Sequence, residues 1–278
     1  MKILIVVVTY NGMKWLDKCL GSVPWTLDES GMQCTLYVVD NASSDGSADF
    51  VAQHCPSAIL VRNSVNTGFT AANNLGMQYA LDNGYDYVYL LNQDAWLMPE
   101  TLNLLVNASE RHPRYGILSP MQMSGDLESM DTQFAKLYSS SVADMAPDGS
   151  SVLRVKRVMA AHWLLRCDAL RQTGLFSEEF PIYGQDDDLC NRMRAVGFYT
   201  GIVPEAVAVH DRAQREEDKA KLIYRNYYMG SLTRLRDPSL PRWKAWAYIV
   251  PFTFVKAVKY RSLEPFRYLC KLFAQIDN

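Results

Sequence analysis

The sequence predicts an α/β fold in which a mostly parallel sheet is flanked by helices. Runs rich in β-branched and apolar residues at 3–8, 35–39, 58–62 and 87–91 alternate with helical patterns at 13–23, 47–54 and 68–83. Alternation of this kind joins parallel strands by right-handed crossovers. The strands are also apolar continuously rather than at every second residue, which marks strands covered on both faces. Each run then ends abruptly in polar residues.

Composition bounds the rest. The chain has 278 residues, 49% hydrophobic and 21% charged, enough for one large domain with an appendage. A net charge of -2 excludes a general nucleic-acid binder. The six cysteines form no CxxC pair, so buried free thiols in a reducing compartment are expected rather than disulfides or a zinc site. The apolar run at 3–8 is too short for a signal segment, and no stretch of 18 apolar residues exists. The expected location is cytoplasmic, with the inner face of the membrane as the alternative.

If the strands are parallel, Thr9-Tyr10-Asn11, Asp40-Asn41 and Asn92-Gln93-Asp94 share one edge of the sheet. A nucleotide needs such a set, to meet a base edge, ribose hydroxyls and a phosphate-bound cation. Asp40-Asn41 serves equally well as an Asx turn or helix cap. The small, polar stretch from Asn66 through Gly68 to Asn73 feeds a helix N-terminus, a ready anion site. No GxGxxG follows the first strand and no Walker loop is present, which counts against a dinucleotide or P-loop enzyme.

Further along, 116–120 reads as a strand. The Ser-, Asp- and Gly-rich stretch 124–151, with Asp148-Gly149, reads as a variable loop or small hairpin. An apolar strand at 158–165 contains His162, more often a packed residue than a catalyst, followed by Trp163. Gln185-Asp186-Asp187-Asp188 opens a helix, where acidic residues also serve the macrodipole. A last strand at 199–209, with Val203-Pro204-Glu205 as its turn, finishes at His210.

Asp40 to Ser47, Asn66 to Phe69 with Asn73 to Gly76, and Leu91-Asn92-Gln93-Asp94 together resemble the family 2 inverting glycosyltransferases, in particular their rhamnosyltransferase-like branch. The resemblance implies a GT-A fold over residues 1–215, with a nucleotide-binding half at 1–110 and an acceptor-binding half at 111–215. It makes Asp94 the last carboxylate of a DxD-type motif holding Mn²⁺ or Mg²⁺, with Asn92 replacing the first Asp. Asp40 and Asn41 match the nucleotide-base segment. The family's Glu-Asp-x-Asp-Leu segment matches Gln185 to Leu189, making Asp186 the general base; Gln185 and Asp187, with His162 and Trp163, are the acceptor-side candidates. A family histidine that reaches the metal or the diphosphate matches His210. The implied partners are a nucleotide-sugar donor, dTDP- or UDP-linked, and a saccharide or lipid-linked acceptor in bacterial cell-surface polysaccharide synthesis. Nearby Arg212, Arg215 and Lys219 are candidates to balance diphosphate charge.

Residues 216–278 are expected to form a helical extension, with one helix at 219–236 and aromatic, basic, amphipathic stretches at 243–259 and 263–273. Packing against the catalytic domain or in a homodimer competes with peripheral membrane contact. The rival reading of the whole chain is a non-catalytic sugar-nucleotide or glycan-binding scaffold, which the neutral Asn92 and Gln185 favour.

Overall fold

The computed structural model describes residues 1–24, 31–141, 152–212 and 218–275. The first half runs β1 (Lys2–Thr9), α1 (Met13–Gly21), β2 (Gln33–Asp40), α2 (Ser47–His54), β3 (Ile59–Arg62), α3 (Gly68–Asp82) and β4 (Tyr87–Asn92). A short β5 (Ala95–Leu97) leads to α4 (Thr101–Arg111), β6 (Tyr115–Met123) and α5 (Thr132–Ser141). Then come β7 (Leu153–Val155), β8 (His162–Arg166), α6 (Cys167–Thr173), α7 (Gln185–Ala195) and β9 (Tyr199–His210). Beyond the sheet, α8 (Lys219–Ile223) passes through a π-helical stretch, Tyr224–Met229, into α9 (Gly230–Arg236). The chain closes with α10 (Arg242–Tyr260) and α11 (Glu264–Ala274).

Among the described residues the sheet has nine strands in the order β3-β2-β1-β4-β8-β6-β9-β5, with β7 also on β9. β1 to β4 are parallel, as expected. β8 enters between β4 and β6 antiparallel to both, and β6 pairs β9 in parallel. The C-terminal ends of β1, β2, β4 and β9 therefore share an edge with the first residue of β8.

The unbroken apolar runs are explained by two cores. Ile3, Ile5 and Val7 face one core with Leu16, Leu20 and Leu105, while Leu4 and Val6 face the other with Met77, Leu170 and Met193. Helices α1 and α4 cover the first face; α3, α6 and α7 cover the second. A third core gathers Phe180, Tyr227, Leu232, Ile249 and Leu272, so the extension packs on the loop that precedes α7.

Several expectations change. The stretch 124–151 is not simply loop or hairpin, because Asp131 accepts from the amides of Gln133 (3.1 Å) and Phe134 (2.8 Å) and starts α5, whose Phe134 is fully buried. Asp148-Gly149 lies outside the described residues. Val203-Pro204-Glu205 is not a turn: β9 runs through it, and its register against β6 slips there, as a proline without a donor requires. Cys19, Cys55, Cys167 and Cys190 are buried, Cys34 is half-buried and Cys270 is exposed, and the structure shows no disulfide among the described residues. Among the described residues no helix is long and apolar enough to cross a membrane.

Candidate active site at the strand ends

The site begins with a corner stapled by side chains. At the end of β1, Gln93 Oε1 accepts from Thr9 Oγ1 (3.0 Å) and the Tyr10 amide (2.8 Å). A Cβ on Gly12 would fall 2.4 Å from that same oxygen, so only glycine fits beneath it. Asn11, at φ 50°, donates its amide to Ser43 Oγ (3.0 Å) and accepts from the Ser44 amide (2.9 Å). The Gly12 amide donates to Ser47 Oγ (2.9 Å) and the Met13 amide to Asp45 Oδ2 (3.0 Å). The Asp-Gly-Ser stretch after β2 thus locks the first strand end to the second.

Within this corner Asp40 is buried. Its Oδ2 accepts from the Ser43 amide (3.1 Å), and its Oδ1 is buried with no partner among the described residues. An unpaired buried carboxylate oxygen is costly unless a ligand donor reaches it. Asn41, also buried, organises the loop after β3. It donates to Asn66 Oδ1 (2.8 Å) and accepts from Asn63 Nδ2 (3.1 Å), the Thr67 amide (2.9 Å) and Thr67 Oγ1 (3.1 Å). Asn66 Oδ1 in turn accepts from the Gly68 amide (2.9 Å), and Gly68 sits at φ 85°. Asn73 is a buried helix residue whose amide nitrogen donates to Phe69 O (2.9 Å).

At the end of β4, Asn92 and Gln93 are half-buried, and Asp94 Oδ1 lies 3.5 Å from His210 Nε2 at the end of β9. β5 pairing with β9 sets Ala95 opposite His210 and so brings the two side chains together. Behind the imidazole, Asp131 Oδ2 is 4.0 Å from His210 Nδ1 and accepts from Arg212 Nε at 3.0 Å. Burial pushes the Asp94 carboxyl up, but the His210 contact and charge, with Arg212, outweigh it and hold the group below its usual value.

The second carboxylate group stands at the start of α7. Thr70 donates its hydroxyl to Phe180 O, and Asn74 and Phe176 exchange hydrogen bonds at 2.9 and 3.1 Å, so the loop before α7 lies on the first turns of α3. α7 therefore starts at the edge where the parallel strands end. Gly184 precedes it at φ 89°, where a Cβ would press on Phe180 at 2.8 Å. Asp187 pairs with Arg157 (2.7 Å), and buried Asp188 pairs with Arg192 (2.8 Å). Asp186 has no cationic partner within salt-bridge distance among the described residues and accepts from its neighbour's amide, Asp187 N (3.0 Å). Burial, followed by the adjacent Asp187 charge, pushes Asp186 up to about 7. Gln185 Oε1 is buried without a partner among the described residues.

Two acceptor candidates are core residues instead. His162 is fully buried, with Nε2 2.9 Å from Val209 O and Nδ1 2.9 Å from the Tyr89 hydroxyl. The carbonyl requires Nε2 to donate, so Nδ1 accepts from Tyr89, and burial holds the ring neutral with its pKa near 3. Trp163 is fully buried against Phe176. The pairing of Leu91 with His162 explains both: the antiparallel strand turns these side chains into the two cores. Of the basic candidates, Arg212 is held by Asp131, Lys219 donates to Arg261 O (3.2 Å), and Arg215 lies outside the described residues.

Sequence reasoning missed Asp131 and Arg157. Asp131-Thr132-Gln133-Phe134 carries an N-cap signal that would have found the first; Arg157 had no local signal.

Among the described residues no three His, Cys, Asp or Glu cluster as a complete protein metal site. Asp94 and His210 nonetheless fit as two ligands that would hold a divalent cation, with Asp131 and Arg212 fixing the imidazole from behind.

Comparison with known proteins agrees with this architecture. The Staphylococcus aureus protein TarS, residues 1–349 in complex with UDP-GlcNAc, superposes with a TM-score of 0.62 at 16% identity, covering 91% of this chain and 71% of that one. GalNAc-T7 with UDP, GalNAc and Mn²⁺ superposes with a TM-score of 0.61 at 13% identity, covering 87% and 52%. The fold is the GT-A architecture of these neighbours. The family model for glycosyl transferase family 2 matches residues 4–143, and the chain belongs to that family. An N-acetylglucosaminyl-diphospho-decaprenol L-rhamnosyltransferase of Mycobacterium tuberculosis is 27% identical over 236 residues, covering 75% of this chain and 76% of its own. An undecaprenyl-phosphate mannosyltransferase of Micrococcus luteus is 27% identical over 200 residues, covering 71% and 79%.

Proposed function

We propose that the protein is an inverting, cation-assisted hexosyltransferase that moves a sugar from a dTDP- or UDP-sugar to a saccharide or lipid-linked saccharide hydroxyl in bacterial cell-surface polysaccharide synthesis. The observation that carries this is the pair of sheltered carboxylates at one sheet edge, Asp94 held ionised and Asp186 raised to about 7. Asp186 in its ionised form takes the proton of the acceptor hydroxyl. The acceptor oxygen then bonds to the anomeric carbon from the face opposite the diphosphate, and the anomeric C–O bond to the diphosphate breaks. Inversion follows from this single displacement.

Asp94 and His210 would hold Mn²⁺ or Mg²⁺, which when bound neutralises charge on the departing diphosphate. The buried, unpaired Oδ1 of Asp40 supports a contact to a base N–H, and Thr9, Tyr10 and Asn11 border the same corner. Asn41, Asn66, Gly68 and Asn73 support the donor side by holding its loop and helix. Asn92 and Gln93 contribute at the end of β4. Gln185, with its unpaired buried oxygen, and Asp187 are on the acceptor side. The relatives' printed names, both lipid-linked, favour a lipid-linked acceptor.

The test is calorimetric titration of UDP, dTDP and GDP with Mn²⁺ and again with EDTA. Metal-dependent binding of one nucleotide supports the donor site. A folded protein that binds none of them sinks the transferase reading in favour of a scaffold.

A further inference from the structure

Helix α10 is apolar on two opposite faces. Ala245, Ile249 and Thr253 are buried in the third core. Half a turn around, Trp243 (69% exposed), Pro251, Phe254 (57%) and Val258 (78%) form a second stripe at helical spacing, exposed apart from the edge of Phe254, which meets the Phe266 ring of α11 at 5.1 Å. The patch widens at the elbow to α11, where Val255 and Leu263 are 60% and 75% exposed. A packed helix needs only one apolar face, so the second calls for an occupant.

Charge identifies it. Residues 238–275 contain seven Lys or Arg and one acidic residue, Glu264, in a chain whose net charge is -2. Glu264 is already paired with Arg267 at 2.7 Å. Lys244, Lys259 and Arg261 are exposed around the stripe. A symmetric contact with a second copy would set these cations against themselves, with the already paired Glu264 as the one carboxylate that residues 238–275 supply. An anionic bilayer surface answers both features, since its acyl boundary takes aromatic and aliphatic side chains and its headgroups take Lys and Arg. α10 does not qualify as a spanning helix; it fits a helix lying in the interface.

We propose that α10 and the α10–α11 elbow seat the protein on an anionic membrane surface. Phe254, Val258 and Leu263 enter the interface, and Lys259 and Arg261 meet lipid phosphates. This rests on exposure and charge alone and is independent of the proposed transfer reaction. The opposite, buried face of α10 packs in the core that holds Phe180, whose ring abuts Gly184 two residues before Asp186, so the extension links the lipid-facing stripe to the loop before α7.

The experiment is vesicle flotation of the full chain with phosphatidylcholine alone and with equimolar phosphatidylcholine and phosphatidylglycerol, at low and high salt. Partition to the anionic vesicles at low salt, at least tenfold above that to phosphatidylcholine, is expected. The Lys259→Ala/Arg261→Ala pair lowers it by roughly 25-fold, at about fivefold for each charge removed. The Phe254→Ser/Val258→Ser pair abolishes it, with circular dichroism and nucleotide binding unchanged because neither side chain belongs to the buried third core. Equal partition to both vesicle types, or none by the folded protein, overturns the proposal. So does a concentration-dependent dimer in sedimentation that Phe254→Ser/Val258→Ser dissolves without any vesicle binding. Nucleotide calorimetry on the same samples keeps a failure here separate from a failure of the donor site.

Discussion

Asp94 and Asp186 are both sheltered carboxylates at the same edge of one sheet, and their surroundings drive them in opposite directions. Burial raises both. At Asp94 the His210 imidazole, 3.5 Å away, and Arg212 beyond it outweigh burial, so the group stays ionised and ready for a cation. At Asp186 the adjacent Asp187 adds to burial. Arg157, whose charge pulls the other way, is spent on its 2.7 Å ion pair with Asp187, and Asp186 rises to about 7. The difference lies less in depth than in which neighbour owns the basic side chain. An ion-pair assignment one residue along α7 separates a fixed charge from a group that can exchange a proton near neutral pH.

The comparison breaks most completely at Asp94. Asp94→Ala is expected to lower transfer by roughly 10³-fold or more, and to abolish the metal dependence of nucleotide binding in calorimetry. Asp186→Asn comes next, with a loss of roughly 10²- to 10⁴-fold in kcat while nucleotide affinity stays near normal. The intact enzyme sharpens this, since kcat/KM should climb with pH and level off above about 7 as Asp186 ionises. Stability moves the other way. An unfolded Asp titrates near 4 and the folded one near 7, so stability is lost as pH rises across that window. Asp186→Asn should therefore melt above the native protein at pH 8 and level with it at pH 4. Asn41→Ala removes five hydrogen bonds from the donor-side loop. It should cost about 2 kcal/mol in denaturant unfolding and raise the donor KM. The smallest effect belongs to Arg157→Ala, which removes a charge that lowers Asp186; the acid limb of the pH profile should move up by less than about one unit.

The parallel half was legible because its chemistry is local. Runs such as Ile3 to Val7 can only be strands covered on both faces, and their polar ends mark the edge. Direction is not local, and nothing in His162–Arg166 says that the strand runs backwards between β4 and β6. That insertion buries His162 and Trp163, which sequence reasoning had set on the acceptor side. Asp94 and Asp186 stood out through motif likeness, whereas Asp131 was hidden in a polar stretch although its own helix cap was readable. The work of Asn41, which holds a loop 25 residues away, follows from a contact that no local pattern encodes.

The inserted β8 also sets an order for folding during synthesis. β1 to β4 can pair as soon as they emerge, but β4 then stays an open edge of fully buried-type residues until 162–166 leave the ribosome. β6, made earlier, has neither neighbour until β8 and β9 arrive on either side of it. β5, likewise, waits for β9 before His210 can stand beside Asp94. Residues 1–110 are consequently not a self-sufficient half. Cut there, the chain would end with the sticky side of β4 exposed, prone to join another copy, and a chaperone holding the nascent chain would have that edge to shield.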